Sequence, residues 1–213
     1  MNAVGTVSMR GASMHDIVVC TIGHSNRPIE DFIGLLWTHE VARVIDVRTI
    51  PRSRHNPWFN LDTLPASLVS AGIDYSHMPG LGGLRHAQAN SPNGGWRNAS
   101  FRGYADYMQT AEFAESVDQV VALARAQRCA LMCAEALPWR CHRSMIADAL
   151  VVRGVQVEDI LGPHVRKPHL LRSFARVEGL QVTYPTPATG DDDSAARPVT
   201  GVAIGPKRSG AHA

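Results

Sequence analysis

Short apolar runs separated by segments of helical periodicity recur along this chain, and that alternation restricts its fold more than any other feature. Ile17-Val18-Val19-Cys20-Thr21-Ile22 ends at Gly23. Val44-Ile45-Asp46-Val47, then Ile73 to Met78, Cys129 to Cys133, and a run opening with Val155-Gln156-Val157 follow it. A strand with one wet face alternates apolar and polar residues; a continuous apolar run needs cover on both faces. The segments between supply that cover. Pro28 opens a helix with Glu30 and Asp31 in its first turn and Ile29, Phe32, Ile33 and Leu36 on one face. Asp62 is expected to cap a helix that carries Leu64, Leu68 and Val69, with Pro65 in its first turn and Gly72 at its end. Tyr104 to Arg125 reads as helix, broken near Thr110, which acts as a new N-cap. Met145, Ile146, Ala149 and Leu150 mark a last helix, stopped at Gly154. The expected fold class is therefore α/β: a mostly parallel sheet with helices on both faces, a Rossmann-like three-layer arrangement. The pattern does not order the strands.

With 213 residues, 45% of them apolar, the chain has enough material for one core. Residues 1–15 read as a flexible leader, 16–185 as a single α/β domain, and 186–213 as a disordered tail. The tail is rich in Pro, Gly and Ala around Asp191-Asp192-Asp193 and has no apolar period that could offset its ordering entropy. No run is long enough to span a membrane, and the N-terminal stretch lacks the apolar segment of a signal peptide. A cytoplasmic location without membrane attachment is the expectation. A reducing compartment then disfavours disulfides among the four cysteines.

In open α/β sheets ligands bind beyond the carboxyl ends of the strands, so the loops after each run are where chemistry is expected. The net charge is only +2, yet these loops hold cations and almost no acids. Between Asp46 and Asp62 lie Arg48, Arg52 and Arg54; between Asp74 and Asp106 lie Arg85, Arg97 and Arg102; between Glu135 and Asp148 lie Arg140 and Arg143. Only Lys167 and Lys207 among the 21 basic residues are lysine, so every cation in these loops is a planar fork suited to phosphate or carboxylate. Some of these arginines are expected to pair with Asp46 or Glu135 instead. Ser25 and Asn26 at the first helix start, and the Gly80, Gly82 and Gly83 loop, bring backbone amides to the same edge. The expected ligand-binding set is Ser25, Asn26, Arg48, Arg52, Arg54, Gly82, Gly83 and Arg143.

Cys20 and Cys129 lie inside strands and read as core. Cys133 ends a strand and Cys141 begins a helix, where a helix terminus and neighbouring Arg residues favour thiolate. Cys141 or Cys133 is the expected nucleophile, with Glu135, His24 or His142 moving protons. Cys133, Cys141, His142 and His24 are also metal-ligand types, but no Cys-x-x-Cys knuckle pairs them, and the expected site contains no metal. The pattern names no cofactor.

Thr21-Ile22-Gly23-His24-Ser25-Asn26, then Asp46-Val47-Arg48 with Pro51, Ser53 and Arg54, then Leu81-Gly82-Gly83, and finally Cys133-Ala134-Glu135 followed by Cys141-His142-Arg143 together resemble the domain of unknown function 488 family. The resemblance runs from about Val18 to about Leu161. It implies an α/β fold and the same sheet edge, and it implies no reaction. Phosphatase loops also set Cys and Arg between a strand and a helix, but Cys133 and Arg140 are too far apart for that loop.

Three functions compete. The first is an enzyme acting on a phosphorylated or otherwise anionic ligand, nucleotide or nucleic-acid related. The second is a nucleic-acid-binding module without catalysis, with Trp58, Phe59, Trp96, Phe101 and Trp139 stacking on bases. The third is a metal or redox sensor using Cys133, Cys141 and His. The expected partner is an anionic small molecule or a nucleic acid.

Overall fold

A computed structural model describes residues 14–187. Most of the expected leader, and the expected tail beyond residue 187, lie outside the described residues. The main sheet has six strands: β1 (Val18–Gly23), β2 (Arg43–Asp46), β3 (Asp74–His77), β4 (Cys129–Cys133), β5 (Gln156–Gly162) and β6 (Val165–Pro168). Their order is β3-β2-β4-β1-β5-β6. The first five run parallel, and β6 returns antiparallel against β5. The α/β class and the mostly parallel sheet are as the apolar runs require.

Alternate strand residues enter two separate cores. On one face Cys20 and Ile22 of β1 and Ala130 and Met132 of β4 pack with α1 (Ile29–Thr38) and α2 (Leu64–Ser70), through Phe32, Leu36, Leu64 and Leu68. On the other face Val19, Ile45, Cys129 and Leu131 pack with α3 (Ala99–Tyr107), α4 (Ala111–Ala126) and α5 (Arg143–Val151), through Tyr104, Val117, Val120, Met145 and Ile146. Period-two alternation on a sheet covered on both sides makes three layers.

Two helix starts differ from expectation. Asp62 does not cap α2. Thr63 holds the cap position with helical backbone and no side-chain cap bond. The Leu64 amide is already bonded to the Asn60 carbonyl at 2.9 Å, so the turn ahead of α2 satisfies a donor that a cap would have served. The long helix does break where expected, at Thr110, whose hydroxyl accepts from the Phe113 amide. Its first half starts earlier than Tyr104, because Asn98 accepts from the amides of Ser100 and Phe101. A small hairpin, β7 (Arg176–Glu178) with β8 (Gln181–Thr183), lies outside the expectation altogether.

The C-terminal segment is tied down by buried polar groups. Asp148 of α5 receives the Tyr184 hydroxyl at 2.6 Å and lies 2.7 Å from His169 Nε2. His169 Nδ1 lies 3.5 Å from Asp159 of β5, which also accepts from Thr21. Burial works to lower the His169 pKa, but the hydrogen bonds to the two carboxylates outweigh it and raise it to about 9.

Candidate functional site

The carboxyl ends of β1, β2 and β4 lie side by side, since Gly23 is in register with Cys133 and Asp46 with Met132. Backbone bonds extend that register into the loops: His24 N–H to Cys133 O, Ser25 N–H to Ala134 O, and Val47 N–H to Met132 O. A cavity of about 780 Å³ opens above these ends. Of the expected site residues, His24, Ser25, Asn26, Arg48, Arg52, Gly83, Cys133, Glu135, Cys141 and His142 line it. Arg54, Gly82 and Arg143 do not.

The arginines divide by partner. Arg48 is buried and forms a two-point ion pair with the fully buried Asp46, Nε at 2.9 Å and Nη2 at 2.6 Å. Its remaining donors reach Phe59 O at 2.7 Å and His24 Nε2 at 3.2 Å. Arg143 is 1% exposed, and its guanidinium binds the carbonyls of Glu135 and Ala136 and the Thr21 hydroxyl. It anchors the loop after β4 from below rather than facing a ligand. Gly82 packs against Thr49, where a Cβ would meet the threonine hydroxyl. Arg52 and Arg140 are exposed on the cavity lining, and among the described residues no hydrogen bond or ion pair engages their side chains. Arg140 is a cavity-lining cation that the expected set omitted, although the run of Arg140 and Arg143 without acids pointed to it.

Glu135 is exposed, and its carboxylate has no arginine partner among the described residues. Ser25 has φ of 52°, a left-handed conformation that costs a non-glycine residue about 1 kcal/mol or more. It places Ser25 and Asn26 on the cavity wall. Thr49, Ile50, Asn56, Leu84, Ser100 and Phe101 are also on that wall.

His24 is set up as a neutral spacer. Its Nδ1 lies 2.7 Å from the Ser25 carbonyl, which only accepts, so that nitrogen carries the proton. Nε2 then receives the Arg48 N–H, and the ring stacks on Phe59 at 4.1 Å. Burial, together with the Arg48 charge, lowers its pKa to about 4. With both nitrogens engaged it is poorly placed to exchange protons with a ligand.

The signs for His24 and His169 are opposite, and a pH dependence follows. His24 binds fewer protons folded than unfolded, so its contribution is complete above about 6.5 and lost as pH falls toward 4. His169 binds more protons folded, so its contribution is complete below about 6.5 and lost as pH rises through 9. Urea melts across this range are expected to show maximal stability near pH 6.5, with the alkaline limb abolished in His169→Gln. An unchanged alkaline limb in that variant would contradict the buried ion triad.

Cys133 and Cys141 meet at the cavity floor beside His142. Their sulfurs and a His142 ring nitrogen all lie within 4.8 Å of one another. His142 Nε2 is 3.1 Å from the Val47 carbonyl, so it carries the proton and Nδ1 faces Cys141 Sγ at 3.8 Å. Hydrogen bonding from the Cys141 thiol, against burial, pulls Cys133 well below the usual thiol pKa, and the same pairing pushes Cys141 up. Cys20 and Cys129 behave as core thiols, raised to about 11 chiefly by burial. Of the aromatic residues considered for stacking, Phe59 is fully buried and Trp96 packs with Phe101, Phe174 and Tyr184.

Fold and site together define an α/β protein whose thiol and imidazole groups converge at the carboxyl edge of a parallel sheet. The family model described as Domain of unknown function DUF488 matches residues 28–150, more than half of the chain, and the protein belongs to that family. No curated protein matches the chain. No solved structure matches it.

Proposed function

We propose that the protein is an enzyme acting on a phosphorylated or otherwise anionic small molecule held in the cavity. One observation carries the reading: two unengaged guanidinium groups stand on the lining of a cavity whose floor holds two thiols and an imidazole. Arg52 and Arg140 receive the anion, since an exposed arginine fork binds phosphate oxygens in pairs. The Cys133, Cys141 and His142 cluster supplies the reacting group, and Glu135, the acid on the lining, exchanges protons with solvent. Ile50, Leu84 and Phe101 offer an apolar wall to the rest of the ligand. The cavity size suits a nucleotide or sugar phosphate.

The test is a thermal-shift titration with inorganic phosphate and nucleoside monophosphates. A ligand at about 100 times its Kd stabilises by about 2.7 kcal/mol, which raises the melting temperature by several degrees. The shift is expected to vanish in Arg52→Ala/Arg140→Ala and to survive in Arg54→Ala, which lies off the cavity. Equal shifts in all three proteins would refute the anion site. Once a substrate is found, Glu135→Gln is expected to lower turnover without lowering the melting temperature.

A further inference from the structure

We propose that Cys133, Cys141 and His142 bind a zinc-class divalent cation whose fourth coordination position opens into the cavity. The inference deepens the reading above and rests on it for the substrate, though not for the metal.

The donor set is the first argument. Two cysteine sulfurs and one imidazole nitrogen are the ligand types zinc takes most readily. In a tetrahedral site with Zn–S of about 2.3 Å and Zn–N of about 2.0–2.1 Å, neighbouring ligand atoms lie roughly 3.6 Å apart. Cys141 Sγ and His142 Nδ1 are 3.8 Å apart, and all three donor atoms fall within 4.8 Å. One edge of that triangle already has tetrahedral length, and the others need to close by no more than about 1 Å to form one face of such a site.

Orientation is the second argument. A ligating histidine usually donates its other ring N–H to a carbonyl or carboxylate, which fixes tautomer and ring angle. His142 does this through Nε2 to Val47 O at 3.1 Å, so its free lone pair is on Nδ1, on the thiol side. Val47 follows β2, Cys133 ends β4, and Cys141 and His142 lead into α5. The donors are therefore mounted at the ends of regular elements, which holds them more rigidly than a loop would.

The third argument is the space left beside the cluster. A Cβ on Gly83 would stand 2.5 Å from His142 Nδ1 and 2.9 Å from its Cγ. Those distances set the Cβ over the face of the imidazole, so the missing side chain lets Gly83 pack flat against the ring at the cavity wall and hold its angle. Among the described residues no fourth Cys, His, Asp or Glu joins the cluster. His24, the nearest histidine by sequence reading, has both nitrogens engaged. Three protein ligands with an open position are the arrangement of catalytic zinc, whereas structural zinc sites are closed by four. The open position would take a water or a substrate oxygen, beside the anion held by Arg52 and Arg140. The spacing from Cys133 to Cys141 is not that of a zinc knuckle; the convergence of β4 and α5 brings the donors together.

The experiment uses the full chain, purified without a metal-affinity column, reduced, stripped with chelator and titrated with Co²⁺. One equivalent per chain is expected to give a thiolate-to-cobalt charge-transfer band and the visible bands of tetrahedral cobalt, both removed by Zn²⁺. Cys133→Ser and Cys141→Ser are each expected to weaken cobalt binding by about 100-fold, Gly83→Ala by about 10-fold, and Cys20→Ala to leave it unchanged. No charge-transfer band in the reduced wild-type protein overturns the proposal, as does a band that persists in both serine variants. The wild-type spectrum decides the matter even where a variant does not fold. Phosphate separates the two readings. If cobalt binds but phosphate alters neither its spectrum nor the melting temperature, the metal stands and the anion site falls. If phosphate stabilises the stripped protein while cobalt does not bind, the reverse holds.

Discussion

Asp46→Ala is expected to cost about 3–5 kcal/mol of stability, the usual penalty for removing one partner of a buried ion pair. Asp46 is fully buried and accepts from Arg48 Nε, Nη2 and N, and from the Tyr75 hydroxyl at 2.8 Å. Without it a guanidinium remains in the interior with only the Phe59 carbonyl and His24 as partners. The double variant Asp46→Ala/Arg48→Met removes the stranded charge and is expected to recover a large part of the loss. Asp74→Ala supplies the contrast: its bond to Arg43 is at the surface, with the Asp74 side chain 55% exposed, and should contribute less than about 1 kcal/mol. Urea denaturation of the four proteins measures all of this. A cost for Asp46→Ala no larger than for Asp74→Ala would mean the pair does not brace the site.

Gly23→Ala is expected to be comparably severe, at more than about 3 kcal/mol, beyond the usual range for overpacking. A Cβ at that position would fall 1.9 Å from the Glu135 carbonyl oxygen and 2.8 Å from Ala136 Cα. Both are backbone atoms, so no side chain can swing aside. Nor can the loop retreat, because Arg143 grips the carbonyls of Glu135 and Ala136. The phosphate-dependent thermal shift should disappear along with the stability. Gly34 in α1 is the control: a Cβ there meets nothing within 4 Å, and alanine should be neutral or stabilising by up to about 1 kcal/mol. Melting of Gly23→Ala within a degree or two of wild type would show that the close approach is not real.

The central strands could be read in the sequence because they are apolar on both faces, and β1 and β4 fall almost where their runs predict. The strands after β5 could not. The Arg176–Glu178 strand is exposed throughout and Val165–Pro168 likewise, so neither carries a burial pattern. Asp62 was plausible as a cap by residue type, and lost that role to a preceding turn that periodicity does not reveal. Most of the expected site residues gather around one cavity at the carboxyl edge of the sheet, but arginines standing on its lining could not be separated in the sequence from arginines bound to the protein. One signal was available: Asp46 and Arg48 are two apart at a strand end, and side chains at that spacing share a face. No comparable signal marks Arg143, whose acceptors are carbonyls that any residue would supply.

The strand order has a consequence for how the protein is made. β1 and β2 have β4 between them, and β4 begins at Cys129, some eighty residues after β2 ends. A nascent chain that has emerged only as far as α3 holds the β2–β3 pair and a solitary β1, each with an open edge where the missing strand belongs. Such edges are what holdase chaperones cover and what neighbouring nascent chains mispair with. The segment that brings β4 also carries Cys133, Glu135 and Cys141. Insertion of β4 thus joins β1 to the β2–β3 pair just as the cavity-floor residues arrive, so a chain halted before it has no Cys133–Cys141 thiol pair to oxidise and no site to misfire.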